Sequence, residues 1–305
     1  MEIIAKIKRR LQKYFNYFVK LILFQYFYIP RPIMDNKLLD DSTFMQYSTC
    51  SAIDFSHPKF FEICKLMDIV PRYHRKIWEH VFIFYHLQKM GLITDGMCGL
   101  GFGVGLEPLP AVFAKYGVDI VATDAPLDIA KRKGWIKTDQ FSKTTRELFN
   151  PKIIDQKTFD KKIKLCTSDM NNISDEFRNF DFTWSACAFE HLGSIDKGLE
   201  FVINSVEKTL KPGGVACHTT ELNLSSNDKT LETGGTVLFR KKDIEALITV
   251  LSEKGHRVML FTIAPDAHFF DFFVDVAPYS PEPHLKLKVA NYVVTSVGLI
   301  IQKAA

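Results

Sequence analysis

From residue 91 onward the apolar positions alternate between two periods. In IDKGLEFVINSVEKTL (195–210), Leu199, Val202, Ile203, Val206 and Leu210 recur three and four apart, which predicts a helix with one apolar face. EPLPAVFAKYG (107–117) reads the same way. Leu109, Phe113 and Tyr116 share a face, Pro108 and Pro110 fall in the first turn, and Gly117 closes it. KKDIEALITVLSEKG (241–255) is a further helix. Between these lie short β-rich runs: GMCGLGF (96–102), VDIVATD (118–124), KIKLCTSD (162–169), FDFTWSA (180–186), VACHTTEL (215–222), HRVMLFTI (256–263) and YVVTSVGLII (292–301), with KPGG at 211–214 read as a turn. Strands alternating with helices imply parallel pairing through right-handed crossovers. The predicted fold class is α/β, an open, doubly wound Rossmann-like sheet with helices on both faces.

Upstream the pattern is helical. PRYHRKIWEHVFIFYHLQKMG (71–91) puts Ile77, Val81, Phe84 and Leu87 on one face, with Pro71 near its start and Gly91 at its end. The first 30 residues begin basic and turn aromatic and aliphatic. From Tyr14 to Ile29 the only polar residues are Asn16, Lys20 and Gln25, roughly one stripe of a helix. That run is too short for a bilayer core, has Lys20 at its middle, and is followed by no small-residue cleavage site. Two readings stay open: a helix lying in a membrane interface, or one docked on the protein's own core or on a second subunit. The organisation expected is an amphipathic N-terminal helix (1–30), a helical lid or extension (31–90), and one α/β domain (91–305).

Composition narrows the function classes. The net charge of +4 is too modest to point to nucleic acid. Six cysteines are dispersed without a CxxC pair, which argues against a zinc site or a disulfide framework and fits a cytoplasmic location.

In an open α/β sheet, ligands bind at the carboxyl ends of the strands near the point where strand order reverses. GLGFGVGLEPLP (99–110) falls at that point, between the first strand and its helix. The glycine pattern fails the G-x-G-x-x-G of dinucleotide binders, because Val104 or Leu106 takes the last position, and there is no P-loop lysine. Gly101, Gly103 and Gly105 instead suit a ligand lying flat against the backbone. Asp124 ends the second strand, where a carboxylate can accept both hydroxyls of a ribose. Asp169 ends the third, placed for an exocyclic amine, with Met170 beside it to pack on a ring. Each aspartate alone could equally be a turn former.

With GLGFGVG, VDIVATD, LCTSDMNNI, FDFTWSACAFEHLG and KTLKPGGVACHTTE in order over residues 91–305, the chain resembles the class I S-adenosylmethionine-dependent methyltransferases. The resemblance implies a seven-stranded sheet with its last pair antiparallel, and S-adenosylmethionine as cofactor. It places Gly101, Gly103 and Gly105 at the methionine part, Asp124 at the ribose, Asp169 and Met170 at the adenine, and Ser185 near the methyl group. The acidic residue usual two before the first motif glycine falls on Gly99, so Glu107 is expected to take its place in holding the ammonium. HRKIWEH, GLEPLP and HTTE are further similar to a narrower bacterial subgroup of uncertain substrate, associated with surface-polysaccharide synthesis.

The implied reaction needs alignment of a nucleophile and, for oxygen, a general base. His191, His218 and Glu221 are the candidates, against structural roles for each. Some relatives place Glu-x-x-Glu-His at the fourth-strand loop and use a metal; here Cys187 holds the first position beside Glu190 and His191, so no metal is expected. His74 and Trp78, one turn apart beside Arg75 and Glu79, form either a lid over the substrate or a helix face packed on the sheet. Trp135 is a further candidate pocket wall, as is the aromatic stretch 268–287. The expected acceptor is a small molecule, most simply a hydroxyl of a saccharide or nucleotide-linked sugar. A lipid acceptor, or cofactor binding without catalysis, are the alternatives.

Overall fold

A computed structural model describes residue 7, residues 10–19, 43–133 and 141–305. Its centre is one sheet of nine strands: β1 (Cys98–Phe102), β2 (Asp119–Asp124), β3 (Ile163–Thr167), β4 (Phe180–Ala186), β5 (Leu210–Asn223), β6 (Arg257–Val258), β7 (Val274–Asp275), β8 (Lys286–Val289) and β9 (Tyr292–Gln302). The order is β3-β2-β1-β4-β5-β9-β8-β7, with β6 also on β9. β3 to β5 run parallel, and β9 is antiparallel to β5, β6 and β8. The doubly wound α/β class therefore holds, and the strand order reverses between β1 and β4.

The expected count of seven is corrected to nine. HRVMLFTI contributes only the two residues of β6, since Met259 and Leu260 turn outward, and residues 274–289 supply the short extra strands β7 and β8. KPGG lies inside β5 rather than in a separate turn, at a register shift opposite Phe180–Phe182.

The helices are α1 (residues 10–19), α2 (Pro58–Leu66), α3 (Arg75–Lys89), α4 (Leu109–Lys115), α5 (Leu127–Lys133), α6 (Gln156–Lys162), α7 (Ile195–Asn204), α8 (Lys241–Glu253) and α9 (Phe269–Phe272). One apolar cluster joins α2, α3 and α4 to one face of the sheet, with Trp78, Phe84, Phe113, Phe182 and Trp184 in it. A second, with Phe102, Phe189, Phe201, Leu247 and Ile301, joins α7 and α8 to the other face. α3 is buried along almost its whole length, so it packs into the core rather than hovering over it.

Two of the four alternating glycines are explained by this packing alone. A Cβ on Gly99 would stand 2.4 Å from Phe182, and one on Gly101 2.4 Å from Trp184. β1 is bare because β4 lays two large rings across it. Gly103, at φ +60, is where the chain leaves the strand, and side chains disfavour that backbone region.

Candidate active site

The turn after β1, the ends of β2, β3, β4 and β5 and the start of α3 enclose one cavity of about 910 Å³. Its size is that of a small-molecule or cofactor site, and it lies at the carboxyl ends of the strands where ligands of such sheets bind. Gly103, Gly105, Glu107, Asp124, Asp169 and Met170 line one side. Arg75, Lys76, Cys187, Glu190, His191 and Glu221 line the other.

The first side is built on buried carboxyls. Glu107 begins the approach to α4, and Trp184 Nε1 donates to its Oε1 at 2.6 Å. Gly101 thus makes room for Trp184, and Trp184 fixes Glu107 at the cavity. Burial pushes the Glu107 carboxyl up to about 8, against smaller opposing effects of the Trp184 bond and Lys76. Its other oxygen faces His80 Nε2 at 3.8 Å. Burial holds that imidazole down to about 3, so it is neutral and the contact is no ion pair. Lys76 is engaged elsewhere: its Nζ meets Glu79 Oε2 at 2.9 Å and donates to the Ala186 carbonyl at 2.9 Å.

Asp124 accepts three backbone N–H groups, from Gly105 at 3.2 Å, Ala125 at 2.8 Å and Ser142 at 3.0 Å. It ties the glycine turn to the end of β2, and burial raises its pKa despite these bonds. Asp169 turns back on its own segment, accepting from Asn171 N at 2.9 Å. The Met170 sulfur lies 3.6 Å from where a Gly103 Cβ would stand.

The second side is a closed ionic network. His74 caps α3 by accepting from Lys76 N at 3.1 Å, and this aims Arg75 and Lys76 at the strand ends. Arg75 pairs with Glu221, and with Glu79 at 3.1 Å, and donates to Ser296 Oγ at 3.2 Å. Burial would raise the Glu79 carboxyl, but Lys76, Arg75 and the Ser296 hydroxyl hold it at about 2. Glu190 is buried, accepts from Thr220 Oγ1 at 3.0 Å, and has its pKa raised by that burial. His191 Nδ1 lies 2.9 Å from the Gly235 carbonyl oxygen, which assigns the ring proton to Nδ1, and 3.2 Å from Thr236 Oγ1. Cys187 sits at φ 48 between the two sides, and burial raises its thiol well above the usual range.

Buried polar atoms without protein partners are rare enough to need a reason. Arg75 Nε, His80 Nδ1 and Ser168 Oγ are such atoms, and all three residues line this cavity.

Several expected residues stand elsewhere. Ser185 is fully buried and bonds His218 Nδ1 at 2.8 Å, because side chains alternate along β4 and Trp184 takes the opposite face. His218 is equally buried, with Nε2 bonded to Ser205 Oγ at 2.9 Å, and burial holds its imidazole down to about 3. Both ring nitrogens are used and neither faces the cavity, so the geometry gives His218 no route to act as a base. Trp78 is a core residue whose Nε1 donates to Asp54 at 2.7 Å. His74 stacks on His284 beside the cavity rather than in it. Gly101 lies under Trp184, not at the cavity wall. Trp135 falls outside the described residues. Among the described residues no cluster of side chains suits a metal ion.

The sequence reading missed Lys76, His80 and Ser168. The only available signal was the density of charge at the start of α3, and nothing local ties that helix to strand ends more than a hundred residues away.

No family model matches the chain, and no curated protein does. Solved structures of similar shape include a protein from Galdieria sulphuraria described as a sarcosine dimethylglycine methyltransferase (17% identical, TM-score 0.46, covering 74% of this chain and 85% of that one). A SAM-dependent methyltransferase from Aquifex aeolicus is 16% identical with a TM-score of 0.38, over 72% of this chain and 88% of that one. An S-adenosylmethionine-dependent methyltransferase from Clostridium acetobutylicum is 13% identical with a TM-score of 0.41, over 81% and 98%. At these scores and identities none of them assigns an activity or a ligand to this chain.

Proposed function

We propose that the protein transfers a methyl group from S-adenosylmethionine to a small-molecule acceptor, a hydroxyl of a saccharide or nucleotide-linked sugar. The observation that carries the reading is Glu107. It is a buried carboxyl on the cavity wall, held by one indole N–H, with no cation bonded to it among the described residues. A ligand bearing its own positive charge supplies what that site lacks. Asp124 beside it, and Asp169 with Met170 across the turn, suit a ribose and an adenine. Arg75 Nε, His80 Nδ1 and Ser168 Oγ offer further polar partners.

When bound, the cofactor supplies an electrophilic methyl carbon on a sulfonium. The chain's own residues then do four things in this reading. Glu107 holds the ammonium, Asp124 accepts the ribose hydroxyls, and the packed walls of α3 and β4 exclude water. His191 Nε2 takes the proton of the acceptor hydroxyl as its oxygen bonds to the methyl carbon and the carbon–sulfur bond breaks. Glu221 is already engaged by Arg75 and is not assigned the base. A hydroxyl-rich acceptor is supported by the mix of acceptors (Glu190, Glu221) and donors (Arg75, Lys76) on that side. A cytoplasmic location is supported by the six unpaired cysteines.

The test is calorimetric titration with S-adenosylhomocysteine, with NADH in parallel. Micromolar binding of the first and none of the second is expected. Binding of NADH, or of neither, overturns the reading. Binding of S-adenosylhomocysteine, with no methyl transfer to any of a panel of hydroxyl acceptors, would reduce it to a cofactor-binding protein.

A further inference from the structure

An amphipathic helix that belongs to a core turns its apolar stripe inward. α1 does the reverse. Leu11, Tyr14, Phe15 and Phe18 recur at the three- and four-residue spacing of a single face, and they are 63, 70, 63 and 61% exposed. On the opposite side Gln12 donates to Asn16 Oδ1 at 3.1 Å, and Asn16 Nδ2 donates to the Ala277 carbonyl at 3.3 Å. Among the described contacts the helix meets the body through Asn16, with Asn16 and Val19 half-buried, and the apolar stripe faces outward. Phe272, Val276 and Tyr279, flanking the anchoring Ala277, are exposed as well.

We infer that the outward face of α1 docks on an anionic lipid surface. Charge selects this occupant. Arg10 and Lys13 rim the stripe, and in sequence Lys6, Lys8, Arg9 and Lys20 extend it, against the single acidic residue Glu2 among the first twenty. Basic residues at the edge of an aromatic and aliphatic stripe suit headgroups above and acyl chains below. Tyr14 brings an apolar ring with a polar tip, as an interface requires. Among the described residues no helix is long and apolar enough to cross a membrane.

The anchor also fixes what the surface faces. Two residues past Ala277, the Tyr279 ring packs edge-on against His284 at 5.4 Å. His284 in turn accepts the backbone N–H of Arg75 at 2.9 Å, and the guanidinium of Arg75 lines the cavity. Docking through α1 would therefore bring the segment 277–284, which meets the Arg75 backbone, toward the bilayer. Resting on the proposed methyl transfer, this makes the acceptor a molecule carried on lipid, its reacting hydroxyl in the headgroup.

The experiment is flotation of the full-length protein with phosphatidylglycerol-containing vesicles and with pure phosphatidylcholine vesicles, at low and high salt. The expected result is association with the anionic vesicles that weakens with salt. Leu11→Asp with Phe15→Asp should lower it at least about tenfold, since two side chains that would enter the interface become charged. Both positions are exposed, so thermal unfolding and S-adenosylhomocysteine affinity should not change in that variant. Equal vesicle binding by the variant overturns the inference. So does a concentration-dependent dimer in sedimentation that the variant dissolves, because the face would then belong to a second copy. Loss of S-adenosylhomocysteine binding in the parent protein would remove the methyl-transfer reading and leave the docking result intact.

Discussion

Glu107 and Glu79 stand on opposite sides of one cavity, both buried, and their acidities move in opposite directions. Burial alone raises both. Glu79 ends near 2 because Lys76 and Arg75 are bonded to it; Glu107 ends near 8 because an indole N–H is its only close donor. The difference shows which side of the cavity is already complete. The α3 side has paired Arg75 and Lys76 with carboxylates, leaving Arg75 Nε and His80 Nδ1 without partners among the described residues, and serves as a frame. The β1 side holds a buried carboxyl that has no cation bonded to it among the described residues, as expected where a cationic ligand belongs.

The largest effect expected is on the completed side. Glu79→Ala leaves Arg75 and Lys76 as buried or half-buried cations with one fewer carboxylate, and removing one member of a buried pair costs about 3–5 kcal/mol. Urea unfolding measures it. The sign with pH follows from the low acidity of Glu79. Its contribution is complete above the ordinary value of 4.5 and is lost as pH falls toward about 2. The variant should therefore differ most from the parent near neutrality and least in strong acid. A loss near zero at pH 7 would make both sides of the cavity alike and end the contrast.

The next effect separates the two buried or half-buried histidines near β4 and β5. His191→Gln should lower kcat by roughly 100-fold, the smaller end of general-base contributions, with S-adenosylhomocysteine affinity unchanged. His218→Gln should change stability and leave the pH profile of kcat as it was, because His218 is locked between Ser185 and Ser205. Exchange of these two outcomes would move the reacting centre to the other face of the sheet.

How far the sequence revealed this molecule follows from how local each signal is. Strands β1 to β5 and helices α4, α7 and α8 announce themselves because each carries its own period within about ten residues, whereas α5 and α6 are not in the sequence reading. β7 and β8 are two and four residues long, too short to carry a period, so the sheet is larger than the pattern suggests. Gly101 looks like a ligand contact in sequence, and Gly99 stands in the same glycine run. Their reason, Phe182 and Trp184, lies some eighty residues later and is visible only once β4 pairs with β1. Ser185 was placed at the cavity by position in a motif, and the alternation of side chains along β4 turned it to the other face. Arg75 and Lys76 reach the strand ends through the tertiary docking of α3, which no stretch of sequence encodes by itself.

That chain of packing can be tested directly. Gly101→Ala puts a methyl 2.4 Å from the Trp184 ring, so the indole must shift. Overpacking of this kind costs about 2 kcal/mol. If Trp184 sets the position of Glu107, the variant should also bind S-adenosylhomocysteine more weakly. An alanine that destabilises the fold but leaves affinity untouched would separate the packing of β1 from the site above it.

The smallest effect in free energy decides most about the open side. Glu107→Gln keeps the size of the side chain and an acceptor for Trp184, and removes the ability to become an anion. S-adenosylhomocysteine still carries the ammonium, so affinity should fall about tenfold, near the lower bound for a charged hydrogen bond. The proton makes a second readout. In the free fold the Glu107 carboxyl keeps its proton to about pH 8, whereas the unfolded chain loses it near 4.5. The stability it contributes is therefore complete below about 4.5 and is lost as pH rises through about 8. Glutamine has no such loss, so the free variant should gain stability relative to the parent above pH 8. A bound cation reverses the preference and favours the carboxylate. At pH 7 the parent should then release a proton on binding, seen as a calorimetric enthalpy that depends on the ionisation heat of the buffer. The glutamine variant should show less of that dependence. If parent and variant release the same number of protons and bind equally, Glu107 does not meet the ligand's charge, and the two carboxyls differ only in their neighbours within the fold.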